Sequence, residues 1–220
     1  IPSCRILLVL GFRPEEAAQN PVLGAYLERS SQSGVVTVLE VPVGPLPAED
    51  ATELARWVLL SAGKPWKKEW LEAIVRESTG VPFFVEELAR YYAERRATST
   101  SREHSLDEVI GERVRELPAS ERALVETIAV ADKPVAQSVA FLAAGLDASA
   151  LPQLLALRNA AMVTWTGAGA DDTVMMYHDR IRESVVGSLS DEVRVARHLA
   201  LGRALSGRAG ALEAGPWLFD

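Results

Sequence analysis

Side chains that commonly carry out chemistry are few in this 220-residue chain. It contains one cysteine, Cys4, and three histidines, His104, His178 and His198. No HExxH or CxxC spacing is present, and no serine stands in a nucleophile motif with a histidine and an aspartate. The sequence therefore predicts no catalytic residue and no metal ligand. His104 falls in a linker-like stretch, residues 97–105, and is expected to be solvent-exposed, and we assign no chemistry to His198.

Arg13 follows an apolar run that is typical of a buried strand. Residues 4–10 read CRILLVL and are bounded by Pro2 and Gly11, which favours a strand covered on both faces in a parallel sheet. Arg13 would then lie at the carboxyl end of that strand, the edge where ligands bind in open α/β sheets. Its planar guanidinium suits phosphate oxygens. The alternative is a surface arginine in a loop.

A phosphate-binding loop is absent from the sequence. Such a loop requires G-x-x-x-x-G-K-[ST], because backbone N–H groups, the lysine and the hydroxyl share the phosphates and magnesium. The only Gly-Lys pair, residues 63–64, is followed by Pro65 and lacks the upstream glycine. A second β-branched run at 35–43, with a helix expected at 20–32, can supply only the end of a nucleotide-binding sheet. This segment alone is not expected to hydrolyse ATP.

Residues 79–92, TGVPFFVEELARYY, predict a helix corner. Gly80 can take the backbone conformation that ends one helix, and Pro82 suits the first turn of the next. The aromatic residues recur at helical spacing, and Glu86 and Glu87 lie in the first turn, where the helix dipole favours negative charge. Judged on residue types alone, this stretch is a structural corner with aromatic core residues.

Residues 177–186, YHDRIRESVV, follow a predicted hairpin. Apolar and polar residues alternate over 162–165 and 174–177, on both sides of a Gly-Ala-Gly-Ala-Asp-Asp turn. His178 then stands beside Asp179 at the start of a helix. Its imidazole can contact a ligand, and the alternative is a histidine that caps the helix.

These two segments resemble motifs of the STAND-type signalling ATPases, AAA-related P-loop regulators found beside kinase, cyclase and transcription-factor domains. TGVPFFVEEL is similar to the family's Gly-Asn-Pro-Phe-Phe-x-Glu-Glu-Leu, with Val81 in place of Asn, and YHDRIRESVV to Phe-x-His-Asp-x-Ile-Arg-Glu-x-Val. The resemblance implies that Pro82 lies against adenine and ribose and that His178 contacts the β-phosphate of ADP. It implies that Arg13 reads the terminal phosphate. ATP or ADP, with Mg in the complete parent, is the implied cofactor.

The resemblance implies a mainly α fold with a small α/β remnant. The expected parts are the C-terminal strands of a P-loop NTPase sheet (1–45), a helical lid bundle (46–104), a winged-helix domain (105–190) and the start of a helical repeat region (191–220). LPAEDATEL at 46–54 resembles the start of the family's lid. Amphipathic patterns predict the helices, at 20–32, from 47, at 66–77, 82–96, 106–117, 120–131, 136–144 and 149–158.

Composition restricts the partners. The chain carries 23 basic and 30 acidic residues, net −7, which argues against a general nucleic-acid or anionic-membrane partner. No apolar run approaches the roughly 18 residues that span a bilayer, and no secretory signal is visible, so a cytoplasmic location is the default expectation. The first residue is Ile, which suggests a segment of a longer protein.

The expected function is a nucleotide-dependent (ATP/ADP) regulatory switch module that lacks Walker A and B and is not hydrolytic alone, although its parent is expected to be an ATPase. Its partners are the nucleotide and other proteins, through helical repeats or self-assembly. One alternative is a winged-helix DNA-binding transcription regulator, disfavoured by 7 basic against 12 acidic residues over 105–190. Another is a helical interaction scaffold that binds no nucleotide.

Overall fold

The structure is a computed structural model that describes residues 7–12, 20–32, 37–94, 104–166 and 172–209. The chain divides into two compact units, residues 1–44 and residues 45–220. It is mainly helical, with a small three-stranded antiparallel sheet in the second unit.

In the first unit, the described regular structure is one helix, α1 (Pro21–Gln32). The Asn20 side chain accepts hydrogen bonds from the backbone N–H groups of Val22 and Leu23, at 3.1 and 3.2 Å. The predicted helix and its asparagine cap are therefore confirmed.

The two strands predicted for residues 1–45 are wrong over the part that the structure describes. Residues 7–10 and 37–43 have no regular structure, and their apolar side chains are exposed, with Leu7 at 88% and Val43 at 94%. A parallel strand forms only where neighbouring strands accept its hydrogen bonds and other elements cover both faces. The described residues of this unit supply one short helix for that purpose, so the apolar pattern has no sheet to join.

The second unit begins with three helices, α2 (Ala48–Ser61), α3 (Lys68–Ser78) and α4 (Pro82–Glu94). They start within two residues of the predicted positions. All three pack on one another through small and branched residues that are fully or nearly fully buried, among them Ala51, Ala55, Leu59, Leu71, Ile74, Val85 and Leu88. The burial of these apolar side chains holds the bundle together.

A second set of elements follows in the same unit. In chain order it contains α5 (Leu106–Glu116), α6 (Ala119–Ala131), β1 (Val135–Ala136), α7 (Gln137–Ala143), a short 3₁₀ helix (Ala148–Ala150), α8 (Leu151–Asn159), β2 (Val163–Thr166), β3 (Thr173–Met176), α9 (Asp179–Ser188) and α10 (Asp191–Ala209).

The three strands form one antiparallel sheet in the order β1-β3-β2. Val163 lies opposite Met176 and Trp165 lies opposite Val174, so the predicted hairpin is confirmed with its alternating faces. Val174 also pairs with Val135 of β1, a two-residue strand that the sequence did not predict. Val163, Val174 and Met176 are buried, and β2 and β3 pack against helices α6, α8 and α9, as expected for a sheet with one covered face.

Helix α6 lies at the centre of this second set. Its seven consecutive residues from 124 to 130 are all buried, because helices α8, α9 and α10 and strand β3 pack around it. Glu126 is among the buried residues, and the Arg197 guanidinium of α10 lies 2.9 Å from its carboxylate. Arg180 of α9 likewise reaches Asp107 of α5 at 2.9 Å. These charged pairs fasten the outer helices to the inner ones.

Among the described residues, no single helix is both long and apolar enough to cross a membrane. One helix pair, Gln137–Ala143 with Ala148–Asn159, meets the length and composition requirement only when taken together, and it is bent by 109°.

Candidate functional site

The Gly-Val-Pro turn is held tightly at the start of α4. Thr79 and Gly80 take left-handed backbone conformations, with φ of 50° and 77°, as expected at a helix C-terminus. The carbonyl of Gly80 accepts a 2.7 Å hydrogen bond from the N–H of Leu46, just before α2. A Cβ at position 80 would lie 2.4 Å from the Leu46 oxygen. The predicted role of Gly80 is confirmed, and the structure adds the close approach of Leu46 as a second reason for glycine.

Pro82 is the first residue of α4 and is exposed. Its missing N–H has no consequence there, because the first N–H groups of a helix lack partners within it. Val81, which replaces the family's Asn, donates its backbone N–H to the Ser78 carbonyl at 3.0 Å. The turn therefore forms without an asparagine side chain, and the Pro82 ring remains open to solvent for contact.

His178 is the N-cap of α9, with extended backbone at φ −151°. Its Nδ1 accepts a 3.1 Å hydrogen bond from the backbone N–H of Arg180. Because Nδ1 accepts, the neutral imidazole carries its proton on Nε2, a tautomer that we assign from this geometry. The capping role that the sequence left open is thus present, and it leaves Nε2–H as a donor.

The turn at α4 and the segment at α9 meet in space. The rings of Phe84 and His178 lie edge to face, with centroids 4.9 Å apart. Beside them, the rings of Phe83 and Tyr177 are 5.2 Å apart. Phe84 is two residues beyond Pro82, so two motifs that are distant in sequence come together at the start of α4 and the start of α9. We call this contact the Phe84–His178 contact.

A half-buried ion pair lies next to this contact. Arg113 of α5 pairs with Glu87 of α4, one turn beyond Phe84, and its Nη2 donates a 2.8 Å hydrogen bond to the Ala160 carbonyl. Burial lowers the pKa of the Arg113 guanidinium below its usual range, but an arginine in a protein stays protonated. The charge that is taken out of water is thus matched by a carboxylate and a carbonyl.

Three more hydrogen bonds join α3 and α4 to α5 and to His104, which lies just before it. The Tyr91 hydroxyl donates to Glu112 at 2.7 Å. The backbone N–H of His104 donates to the Tyr92 hydroxyl at 3.0 Å, and that of Leu106 donates to Glu77 at 3.3 Å. Together with the ion pair, these bonds form a polar seam along α4 and α5.

The expectation that His104 is solvent-exposed is wrong. Its side chain is 19% exposed, and its ring packs edge to face on Tyr91 with centroids 5.1 Å apart. Aromatic residues of α4 lie within reach because His104 directly precedes the cap of α5. His198 is exposed on α10. Arg13 lies outside the described residues, so its predicted role stays a prediction.

A narrow cleft lies beside the Phe84–His178 contact. Phe83, Phe84 and Glu87 line it from α4, and Met162, Ile181 and Arg113 line it from the second set of elements. Its cavity volume is about 10 Å³, roughly the space that one water molecule needs. A nucleotide does not fit inside the cleft. It could reach Pro82 and His178 only from the outer side, where both residues are accessible.

Sequence reasoning missed the Arg113–Glu87 pair, and it was wrong to place Glu87 in the first turn of α4, which holds no acidic residue. The signal was faint but present, because Arg113 falls on the apolar stripe of α5 formed by Leu106, Val109 and Ile110 at helical spacing. A charged residue on such a stripe is expected to find a partner when the stripe is buried. The identity of that partner, on another helix, is a matter of tertiary structure.

Comparisons with known proteins do not assign a family. No family model matches the chain, no curated protein matches it, and no solved structure matches it. The resemblance to the STAND-type ATPases therefore rests on the sequence motifs alone.

Proposed function

We propose that this chain is a nucleotide-dependent (ATP/ADP) regulatory switch module of a STAND-type signalling ATPase. The observation that carries the proposal is the Phe84–His178 contact, since the two segments that resemble the family's motifs lie far apart in sequence and meet in the fold. Such a meeting is what a shared ligand pocket requires. The module lacks the phosphate-binding loop and acts on a nucleotide held mainly by another part of its parent.

The exposed Pro82 and the half-buried His178 would contact that nucleotide. Pro82 would lie against the adenine and ribose, since its ring is exposed at the start of α4. His178 would donate Nε2–H to the β-phosphate while Nδ1 keeps its bond to the Arg180 N–H. This contact needs only the neutral imidazole. Magnesium would be held by the parent's core and by phosphate oxygens, because the described residues contain no group of three or more His, Cys, Asp or Glu side chains arranged for a metal.

The order of elements supports a winged-helix assignment for residues 105–190. Helices α5 and α6, strand β1, helices α7 and α8, the β2–β3 hairpin and α9 follow one another in the order of that fold. In the switch that we propose, ADP would hold this domain against the lid through His178, and exchange for ATP would release it. The loss of one hydrogen bond to a charged phosphate, about 1.5–3 kcal/mol, moves a two-state equilibrium by about one to two decades.

The first prediction concerns ADP binding by the complete parent. His178→Ala is expected to weaken ADP binding by roughly 10- to 100-fold, because it removes one charge-assisted hydrogen bond. Isothermal titration calorimetry measures the change. His198→Ala is the matched control, since His198 is exposed on α10, and it should bind ADP like the wild type. Equal affinity of the His178→Ala and wild-type proteins for ADP would remove the proposed phosphate contact.

The coding sequence upstream of Ile1 gives an independent test of the parent. The proposal requires a G-x-x-x-x-G-K-[ST] loop and an apolar strand ending in Asp within about 150 residues, the size of one domain. A reading frame that starts at this segment, or that lacks both features, would leave a helical interaction scaffold.

Protein partners or self-assembly would be sought at α10 in either case, because this helix exposes the apolar residues Val193, Val195 and Leu199.

A further inference from the structure

We infer that Arg113 is a positioning residue for His178, holding both sides of the Phe84–His178 contact in place. The inference deepens the proposed function, since its consequence for a bound phosphate rests on that function. The effect of Arg113 on the Phe84–His178 contact is a property of the chain without nucleotide. Arg113 acts through the backbone and side chains that carry Phe84 and His178.

On the α4 side, Arg113 acts through Glu87. The ion pair joins α5 to the turn of α4 that follows Phe84, since residues three apart lie on the same helix face. The Glu87 side chain is only 17% exposed, and Arg90 lies 3.7 Å from its other oxygen. A half-buried carboxylate that loses its main partner is expected to shift toward solvent or toward its remaining cation, here Arg90. The position of Phe84 therefore depends on the pair.

On the α9 side, Arg113 acts through the turn before β2. Its Nη2 binds the Ala160 carbonyl, at a turn where Ala161 has a left-handed backbone with φ of 51°. Two residues later, the Met162 carbonyl accepts a 3.0 Å hydrogen bond from the N–H of Tyr177. Tyr177 immediately precedes His178. One guanidinium thus fastens the backbone from which the histidine segment departs.

The narrow cleft makes this arrangement sensitive. Arg113, Glu87 and Phe84 line it together with Met162 and Ile181, so the ion pair and the Phe84 side of the contact border the same small space. In a well-packed region, neighbours can relax only partly around a lost group. A change at Arg113 is therefore expected to alter the spacing of the Phe84 and His178 rings.

Proton NMR of the histidine rings in the 220-residue chain, without nucleotide, tests this inference. The Phe84 ring shifts the His178 resonances through its ring current, whereas the exposed His198 has no such neighbour among the described residues. We expect Arg113→Met to move the His178 signals toward those of His198 and to leave the His198 signals in place. Arg113→Lys, which keeps the charge, should give a smaller displacement.

Two further variants keep the test decisive. Arg194→Met removes an arginine that pairs with Asp191 inside α10, and it should leave the His178 signals unchanged. Glu87→Gln preserves the side-chain shape and should displace the His178 signals in the same direction as Arg113→Met. If Arg113→Met unfolds the chain, Glu87→Gln decides the matter.

Unchanged His178 signals in folded Arg113→Met, or in Glu87→Gln when Arg113→Met does not fold, would overturn the positioning role. Because no nucleotide is present, that outcome would leave the His178–phosphate proposal standing. Conversely, if His178→Ala binds ADP with wild-type affinity, the proposed function is removed. The displaced His178 signals in Arg113→Met would then still support the positioning role of Arg113.

Discussion

At the scale of single residues, a local backbone conformation and a tertiary contact both require glycine at position 80. The Gly-x-Pro pattern predicted a left-handed residue before a helix, and φ at Gly80 is 77°. What the pattern did not contain is the Leu46 carbonyl, which lies where a Cβ would be placed. That contact joins the segment before α2 to the turn before α4.

We expect Gly80→Ala to destabilise the chain by more than the roughly 1–2 kcal/mol that a left-handed conformation costs an ordinary residue. The added part comes from the 2.4 Å approach of the Cβ to the Leu46 oxygen. Gly63→Ala is the matched control, since Gly63 has φ of 68° with nothing within 4 Å of its Cβ position. Urea unfolding measures both. Equal losses in the two variants would show that the Leu46 contact has no energetic weight.

Some residue-level features of the site could be predicted from the sequence and others could not. From the sequence, the capping role of His178 followed as one of two open alternatives, since an N-cap depends on neighbouring residues alone. The pairing of Arg113 with Glu87 did not follow, since it joins two helices whose packing the sequence pattern does not specify. Local signals thus gave the ends of the helices, and the long-range ion pair became visible only in the fold.

At the scale of elements, helices were predicted more reliably than strands. An amphipathic helix closes its own backbone hydrogen bonds, so its periodicity is sufficient evidence for it. A strand depends on partners. The hairpin at β2–β3 carries its partner beside it in sequence and forms, whereas the apolar residues at 7–10 and 37–43 form no strand. The two-residue β1 is too short to leave a pattern of its own.

The start of α5 offers a test at this scale. Ser105 Oγ accepts a hydrogen bond from the Glu108 N–H at 3.2 Å. The Glu108 carboxylate in turn accepts one from the Ser105 N–H at 3.1 Å, which completes a capping box. Ser105→Ala should lower the free energy of unfolding by about 1 kcal/mol. Ser190→Ala, at a cap with one 3.3 Å bond to the Val193 N–H, should lower it less. Thermal unfolding monitored by circular dichroism would contradict this if the two losses were equal or reversed.

At the scale of the whole molecule, charge separates the proposed switch from a DNA-binding regulator. The winged-helix assignment that we propose for residues 105–190 is by itself compatible with either function. In a DNA-binding winged helix, the helix before the hairpin enters the major groove and the domain neutralises phosphates. Here that helix is α8, whose sequence LPQLLALRN has one basic residue, Arg158. The Arg158 guanidinium lies 3.9 Å from the centre of the Trp165 ring.

We therefore expect no specific binding of duplex DNA by the 220-residue chain. Residues 105–190 carry 7 basic and 12 acidic residues, and a chain of net −7 repels the phosphate backbone most strongly at low salt, where basic DNA-binding proteins bind best. Fluorescence anisotropy of a labelled duplex pool from 50 to about 200 mM salt measures the binding. A raised signal at low salt that falls with added salt, and that Arg158→Ala abolishes, would favour the DNA-binding alternative. A flat signal at every salt concentration would leave the nucleotide-switch and scaffold proposals. The ADP titration then separates these two, because only the switch proposal requires His178 to contribute to ADP affinity.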